Sequence, residues 1–222
     1  LELEGNQDKV LGAIKFLRDF KRDPSSVQLG KNVAVIGCGN SAMDSARAAM
    51  RVEGVENVYI VYRRTKKQMP AEEEELVLPL EDGAIFKELL SPVALQEGVL
   101  TCQQMQLGDK DSSGRCRPRP LVGKFVELEI DTVLSAIGEL VDYELLEKNG
   151  IAIDEHGDIL VNEFNETNVE NVYIGGDAYR GPASIVEAIA DGQAVASGIM
   201  AKEGIVANTL STKDFSFDKE QR

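Results

Sequence analysis

Two continuous apolar runs frame the first half of the chain, Val33-Ala34-Val35-Ile36 and Val58-Tyr59-Ile60-Val61-Tyr62. Runs that do not alternate with polar residues predict strands covered on both faces. Between them, Ala42, Met43, Ala46, Ala49 and Met50 recur at helical spacing, predicting a helix over 41–51 whose small residues let it lie close to a sheet. Val10, Leu11, Ile14, Leu17 and Phe20 predict an amphipathic helix over 8–20, followed by a polar linker over 21–31. Met69-Pro70-Ala71 leads into four glutamates at 72–75, a solvated helix start whose acids complement the helix dipole. Strands are expected near 84–90, 98–107 and 120–130, forming a three-stranded antiparallel meander with turn chemistry between Asp109 and Gly114. Residues 132–138 read as a buried strand ending in a small-residue turn. A hairpin around His156-Gly157 and a short strand over 171–174 follow. A long helix is expected from Ala183 to about Lys202, with Pro182 at its first turn and Ile185, Val186, Ile189, Val195, Ile199 and Met200 supplying its apolar face. The tail from Asn208 is polar and expected to be loosely held.

The first strand runs into Gly37-Cys38-Gly39-Asn40-Ser41-Ala42, a G-x-G-x-x-A turn that opens the following helix. Strand, glycine turn, helix, strand is the order of a dinucleotide-binding unit. The glycines allow a sharp turn and close backbone approach to a pyrophosphate, and the helix N-terminus offers amides and a positive dipole end to that anion. An NAD site places an acid at the end of the second strand. Here Arg63 and Arg64 stand there, groups suited to a 2′-phosphate, so the residues predict NADPH binding. Glu53 and Glu56 precede the second strand and are rejected as ribose ligands.

Composition narrows the class. The 222 residues carry a net charge of −14, which argues against nucleic-acid or anionic-membrane partners, and 43% hydrophobic content supports a packed core. Against that acidic background the basic cluster at 63–67 reads as a local anion site. Arg115, Arg117 and Arg119 alternate with Cys116, Pro118 and Pro120 and read as a solvent-facing hairpin edge. No stretch has the length of a membrane helix and no signal peptide is visible. Because the sequence starts at Leu1, a fragment is expected. Cys38, Cys102 and Cys116 form no C-x-x-C pair, which removes a thioredoxin-type disulfide and fits a reducing, cytoplasmic setting. Cys38 needs only to be small. His156, the one histidine, sits beside a glycine in a loop and reads as a surface residue rather than a general base.

Several stretches together resemble the small subunit of glutamate synthase and its relatives, including the flavin part of dihydropyrimidine dehydrogenase and selenate reductase-like subunits. They are residues 33–44, Val61-Tyr62-Arg63-Arg64-Thr65 with Met69-Pro70-Ala71, Asp131-Thr132-Val133-Leu134-Ser135-Ala136-Ile137-Gly138, Gly175-Gly176-Asp177-Ala178, and residues 181–192. The resemblance covers about residues 5–203. It implies an α/β fold: a Rossmann-like NADPH-binding domain with an antiparallel β-meander, inserted in a partial FAD-binding domain of the pyridine nucleotide-disulfide oxidoreductase type. It also implies cofactor contacts at Ala136, Ile137, Gly138 and Gly176. Asp177 would accept hydrogen bonds from ribityl hydroxyls, and Pro182, Ala183, Ser184, Ile185 and Val186 would face the flavin ring. Reduced flavin gathers negative charge at its pyrimidine end, where a helix N-terminus stabilises it. A separate glycine-rich unit for FAD and N-terminal iron–sulfur cysteines are absent from these 222 residues.

The expected plan is a first segment over 1–29 belonging with the FAD part, an NADPH domain over 30–135, the C-terminal part of the FAD domain over 136–203, and a polar tail over 204–222. Residues 1–29 and 136–222 are expected to form one lobe. The implied activity passes electrons from NADPH to FAD and on to an iron–sulfur subunit or domain. The isolated fragment is expected to be inactive and to hold FAD weakly, with its exposed half-site free to pair with a second copy. The alternative is a non-catalytic nucleotide-binding or docking module.

Overall fold

Strand residues that point alternately to two apolar layers explain why the central runs carry no polar positions. In a computed structural model describing residues 1–110, 114–138, 141–181 and 183–205, five parallel strands form one sheet. They are β2 (Val10–Gly12), β9 (Thr132–Ser135), β3 (Asn32–Ile36), β4 (Asn57–Tyr62) and β5 (Ile85–Glu88), in that spatial order. Val33, Val35, Val58, Ile60, Tyr62 and Leu134 face one layer with Phe16, Met43, Ala46 and Leu76. These last belong to helices α1 (Ala13–Arg22), α2 (Asn40–Ala49) and α3 (Glu73–Glu81). Ala34, Ile36, Val61 and Val133 face the opposite layer with Leu90, Leu95, Leu100 and Cys102. That second layer is an antiparallel meander of β6 (Leu90–Gln96), β7 (Val99–Lys110) and β8 (Cys116–Glu129), to which β1 (Glu4–Gly5) adds a parallel edge. Helices, parallel sheet and meander make one three-layered unit over Leu1–Glu139.

Three expectations change at this level. The segment expected as a strand over 84–90 is divided: β5 extends the parallel sheet beside β4, and the meander starts at Leu90. The corner between them is Leu89, with φ +56°, pinned by Leu89 N–H donating to Arg64 O at 3.2 Å and Met105 N–H donating to Leu89 O at 2.8 Å. The helix expected over 8–20 starts only at Ala13, because Val10–Gly12 pairs with Val133–Ser135 as a strand. Residues 1–29 therefore pack with the nucleotide unit through β1, β2 and α1, not in a lobe with 136–222. Three short apolar residues at 10–12 gain more from edge pairing and sheet burial than from an extra helical turn.

The second unit spans Leu140–Arg222. It contains α4 (Tyr143–Lys148), whose N-cap Asp142 accepts from Leu145 N–H at 3.0 Å, then tight turns with isolated bridges such as Ile153–Ile159. A short α5 (Asp177–Arg180) and the long α6 (Ile185–Lys202) follow. The expected strand over 171–174 is reduced to a single bridge between Glu166 and Tyr173. The apolar stripe of α6 is not a core face here. Ile185, Val186, Ile189 and Ile199 are exposed, and the buried positions are Asp191 and Gly198.

Candidate functional site

The glycine turn sits at the carboxyl ends of β3 and β9. Gly37 has φ +130°, and a Cβ there would come within 2.3 Å of the Ala136 carbonyl oxygen. Its amide donates to Val61 O at 3.1 Å and Ala136 N–H donates to Ile36 O at 2.8 Å, so three strand ends are stitched together at this residue. Gly39 differs. It is the extended N-cap of α2 (φ −95°), and a Cβ there would meet nothing within 4 Å. The turn is therefore tight on its protein side and open above Gly39, where the first-turn amides of Asn40 and Ser41 begin the helix. Ala42 is fully buried under the turn.

Cys38 is 2% exposed, and burial pushes its thiol up to about 12, so it is a packing residue and not a nucleophile. Cys102 is raised to about 12 by the same cause. At the end of β9, Ala136 abuts the turn, Ile137 is 57% exposed, and Gly138 has φ +116°.

The two arginines after β4 part company. Arg63 is exposed. Arg64 is 7% exposed, its Nε donating to Cys116 O at 2.8 Å and its charge acting on the nearby Tyr62 hydroxyl. Tyr62 Oη in turn donates to Gln68 O at 2.7 Å. Burial raises the Tyr62 phenol, against the lowering effect of Arg64. Of the two arginines expected to receive a 2′-phosphate, one is an exposed cation and one is built into the protein. Two surface clefts of about 360 and 510 Å³ lie elsewhere on this unit, lined by residues such as Phe16 with Gln28 and Leu95 with Asp131, and include no candidate residue.

In the second unit, Gly176 adopts φ +62°, ψ −148°, a region essentially closed to residues with a Cβ, and caps α5. Asp177, the first residue of α5, is exposed. Ser184 caps α6 in a capping box: its Oγ accepts from Glu187 N–H at 3.3 Å, while its own amide donates to Glu187 Oε2 at 2.9 Å. Ala183 and Ser184 are exposed, and Ile185 and Val186 are 80% and 74% exposed at the first turn. Pro182 lies outside the described residues. α6 begins at Ile185 rather than at Ala183, because the side chain of Ser184 takes up a first-turn amide.

Asp191 carries no role in the sequence reading, yet the unit is organised on it. It is 1% exposed, accepts from Gly176 N–H at 2.9 Å, and pairs with Arg180 through both carboxylate oxygens. The legible signal was a lone acid amid Ala188, Ile189 and Ala190, which on burial demands a cation. Arg180 first, and the Gly176 amide second, hold the Asp191 carboxyl down at about 2. A depressed folded-state pKa gives stabilisation that is complete above the ordinary value of 3.8 and lost as pH falls through about 2. Asp191→Asn is therefore expected to melt lower than the parent at neutral pH, with the difference shrinking across that acid window. Thermal melts followed by circular dichroism test this, and a difference constant with pH contradicts it.

Comparison with known proteins places these features. The pyridine nucleotide-disulphide oxidoreductase profile matches residues 1–192. YgfK of Escherichia coli is 40% identical over 206 residues, covering 92% of this chain and 20% of its own length. The NADP(+)-dependent formate dehydrogenase subunit beta of Moorella thermoacetica is 39% identical (84% and 27%), and the small chain of glutamate synthase [NADPH] from E. coli is 32% identical (81% and 40%). The chain thus spans 20–40% of the length of these relatives. Among solved structures, Mycobacterium tuberculosis FprA in complex with NADPH matches with a TM-score of 0.66 at 20% identity, covering 92% of this chain and 61% of that one. T. acidophilum thioredoxin reductase matches at 0.65 and 21%, covering 91% and 62%. At these identities the likeness concerns the fold. No helix among the described residues is long and apolar enough to cross a membrane.

Proposed function

Because this chain belongs to the pyridine nucleotide-disulphide oxidoreductase family, we propose that it is the NADPH-binding part, with a portion of the flavin-binding part, of an NADPH-dependent flavoprotein oxidoreductase of the glutamate synthase small-chain group. Members of the family bind FAD and NAD(P)H. The observation that carries the reading is the turn at 37–42, closed against Ala136 on one side and open above Gly39 at the start of α2. The amides there receive the pyrophosphate, and the helix dipole favours its charge. At the end of β4 the exposed Arg63 offers a cation where an NAD site would offer an acid, which supports NADPH over NADH.

The second unit has the features of a flavin half-site. Ile185 and Val186 present apolar surface at the N-terminus of an 18-residue helix, a combination that fits a flat ring whose edge gathers negative charge. Asp177 is exposed and free to accept from ribityl hydroxyls. The flavin, when bound, supplies the two-electron acceptor for a hydride. The chain's own residues bind and orient; no acid–base group is needed for that transfer. His156, whose side chain is 74% exposed beside Glu155, fits that reading. Onward electrons pass to an iron–sulfur partner, in line with relatives named as beta subunits or small chains. Three free cysteines agree with a reducing, cytoplasmic setting.

Calorimetric titration of the chain with NADPH and NADH tests the first half of the reading, with NADPH expected to bind more tightly; equal affinities reject it. Gel filtration after adding FAD tests the second. The chain is expected to release most of it, because the glycine-rich turn at 37–42 that suits a pyrophosphate is assigned to NADPH. Stoichiometric, retained FAD rejects the half-site assignment.

A further inference from the structure

The loop after β4 leaves the sheet beside the glycine turn and returns to it. At its start Gly37 N–H donates to Val61 O at 3.1 Å, and at its end Ala71 N–H donates to Cys38 O at 3.2 Å. Both ends are therefore bonded to the turn assigned to the pyrophosphate. Between them the loop is closed on itself. Tyr62, the last residue of β4, is 6% exposed with its ring in the core layer that also holds Phe16 and Met43. Its hydroxyl spans the loop and donates to Gln68 O at 2.7 Å. A single 3-10 turn over Lys66–Gln68 brings that carbonyl into reach: Gln68 N–H donates to Thr65 O at 3.0 Å, and Met69 N–H to Lys66 O at 3.1 Å. Thr65 Oγ1 adds a bond to Gln68 Oε1, and Lys66 N–H donates to Glu88 Oε1 at 2.6 Å.

Arg63 is an exposed residue between two anchored neighbours. Tyr62 precedes it. Arg64 follows, with its Nε donating to Cys116 O at 2.8 Å and its carbonyl accepting from Leu89 N–H at 3.2 Å. The backbone of Arg63 is thus held from both sides although the residue itself faces water. An arginine on a free loop must be ordered at the moment of binding, and that cost is taken from the affinity. One on a fixed backbone has only its side-chain rotamers to lose. We propose that Tyr62 is a positioning residue for nucleotide specificity: its bond to Gln68 closes the loop that is fastened to the glycine turn, and so keeps Arg63 where it receives the 2′-phosphate. This rests on the NADPH reading above.

The test uses the 222-residue chain and two small probes, 2′,5′-ADP and 5′-AMP, titrated calorimetrically. Tyr62→Phe deletes one oxygen and keeps the ring in the core. It is expected to weaken 2′,5′-ADP by about threefold to tenfold, the worth of a neutral hydrogen bond, and to leave 5′-AMP unchanged, which also reports an intact fold. In an Arg63→Ala background Tyr62→Phe should cost nothing further, since both act on one contact. Thr65→Val cuts the loop's other bond to Gln68 without touching Tyr62, and serves if Tyr62→Phe does not fold; a smaller loss confined to 2′,5′-ADP is expected. Hydrogen exchange of the amides over 63–69 should speed up in both variants. If Tyr62→Phe keeps the parent's preference for 2′,5′-ADP, weakens both probes alike, or adds its full loss to that of Arg63→Ala, the inference falls and the NADPH reading stands. If the parent itself shows no preference, the NADPH reading falls and the inference with it.

Discussion

Gly37→Val is expected to destabilise the first unit by about 2–6 kcal/mol, from backbone strain together with overpacking. The new Cβ would stand 2.3 Å from the Ala136 carbonyl oxygen in a backbone conformation, φ +130°, that side chains rarely adopt. Neither partner can retreat cheaply. Gly37 is tied to Val61 and Ala136 to Ile36, so a shift breaks sheet bonds between three strands. Urea denaturation is the measurement, and a midpoint within error of the parent would show that the turn relaxes without cost. Gly39→Ala makes the contrast. Its Cβ meets nothing within 4 Å and its φ is ordinary, so stability should change by no more than about 1 kcal/mol, the scale of an N-cap substitution. That open space is assigned to the pyrophosphate, so NADPH binding should still fall sharply. Full binding by Gly39→Ala would move the nucleotide elsewhere.

The second large effect is expected at Arg63. Arg63→Ala should cost about 1.5–3 kcal/mol of NADPH affinity, the value of a charge-assisted hydrogen bond to a phosphate, and leave NADH nearly unaffected. Arg63 is exposed and follows the last residue of β4, so its removal leaves no buried group without a partner. Loss of binding can then be read as loss of the contact. Calorimetry with both cofactors decides: equal losses would show that Arg63 acts on the fold or on a phosphate common to the two. The same experiment at raised salt should compress the difference, because an exposed ion contact is screened.

The two glycines and the two arginines illustrate what a sequence carries and what it does not. Unbroken apolar runs at 33–36 and 58–62, a G-x-G-x-x-A turn and a small-residue helix are local patterns. Each follows from backbone sterics and from burial on both sides of a sheet, so strand, turn and helix are legible residue by residue. The buried stripe along β3, β4 and β9 agrees with them to within a residue or two. Pairing partners are another matter. Nothing in Val10-Leu11-Gly12 says that it joins β9, more than a hundred positions later, and a helical period over 8–20 hides it. The split at Leu89, which sends one half of an apolar segment to the parallel sheet and the other to the meander, depends on a bond to Arg64. Adjacent arginines look alike in sequence, and only the position of Cys116 O makes one a ligand candidate and the other a strut. Asp191 is likewise only a lone acid among apolar neighbours in the sequence, and its partners Arg180 and Gly176 are known from the fold alone. Local sterics and hydrophobic period are written in neighbouring residues. Which strand pairs with which, and which charge is buried against which partner, is decided by contacts between distant residues, and only the tertiary structure contains those.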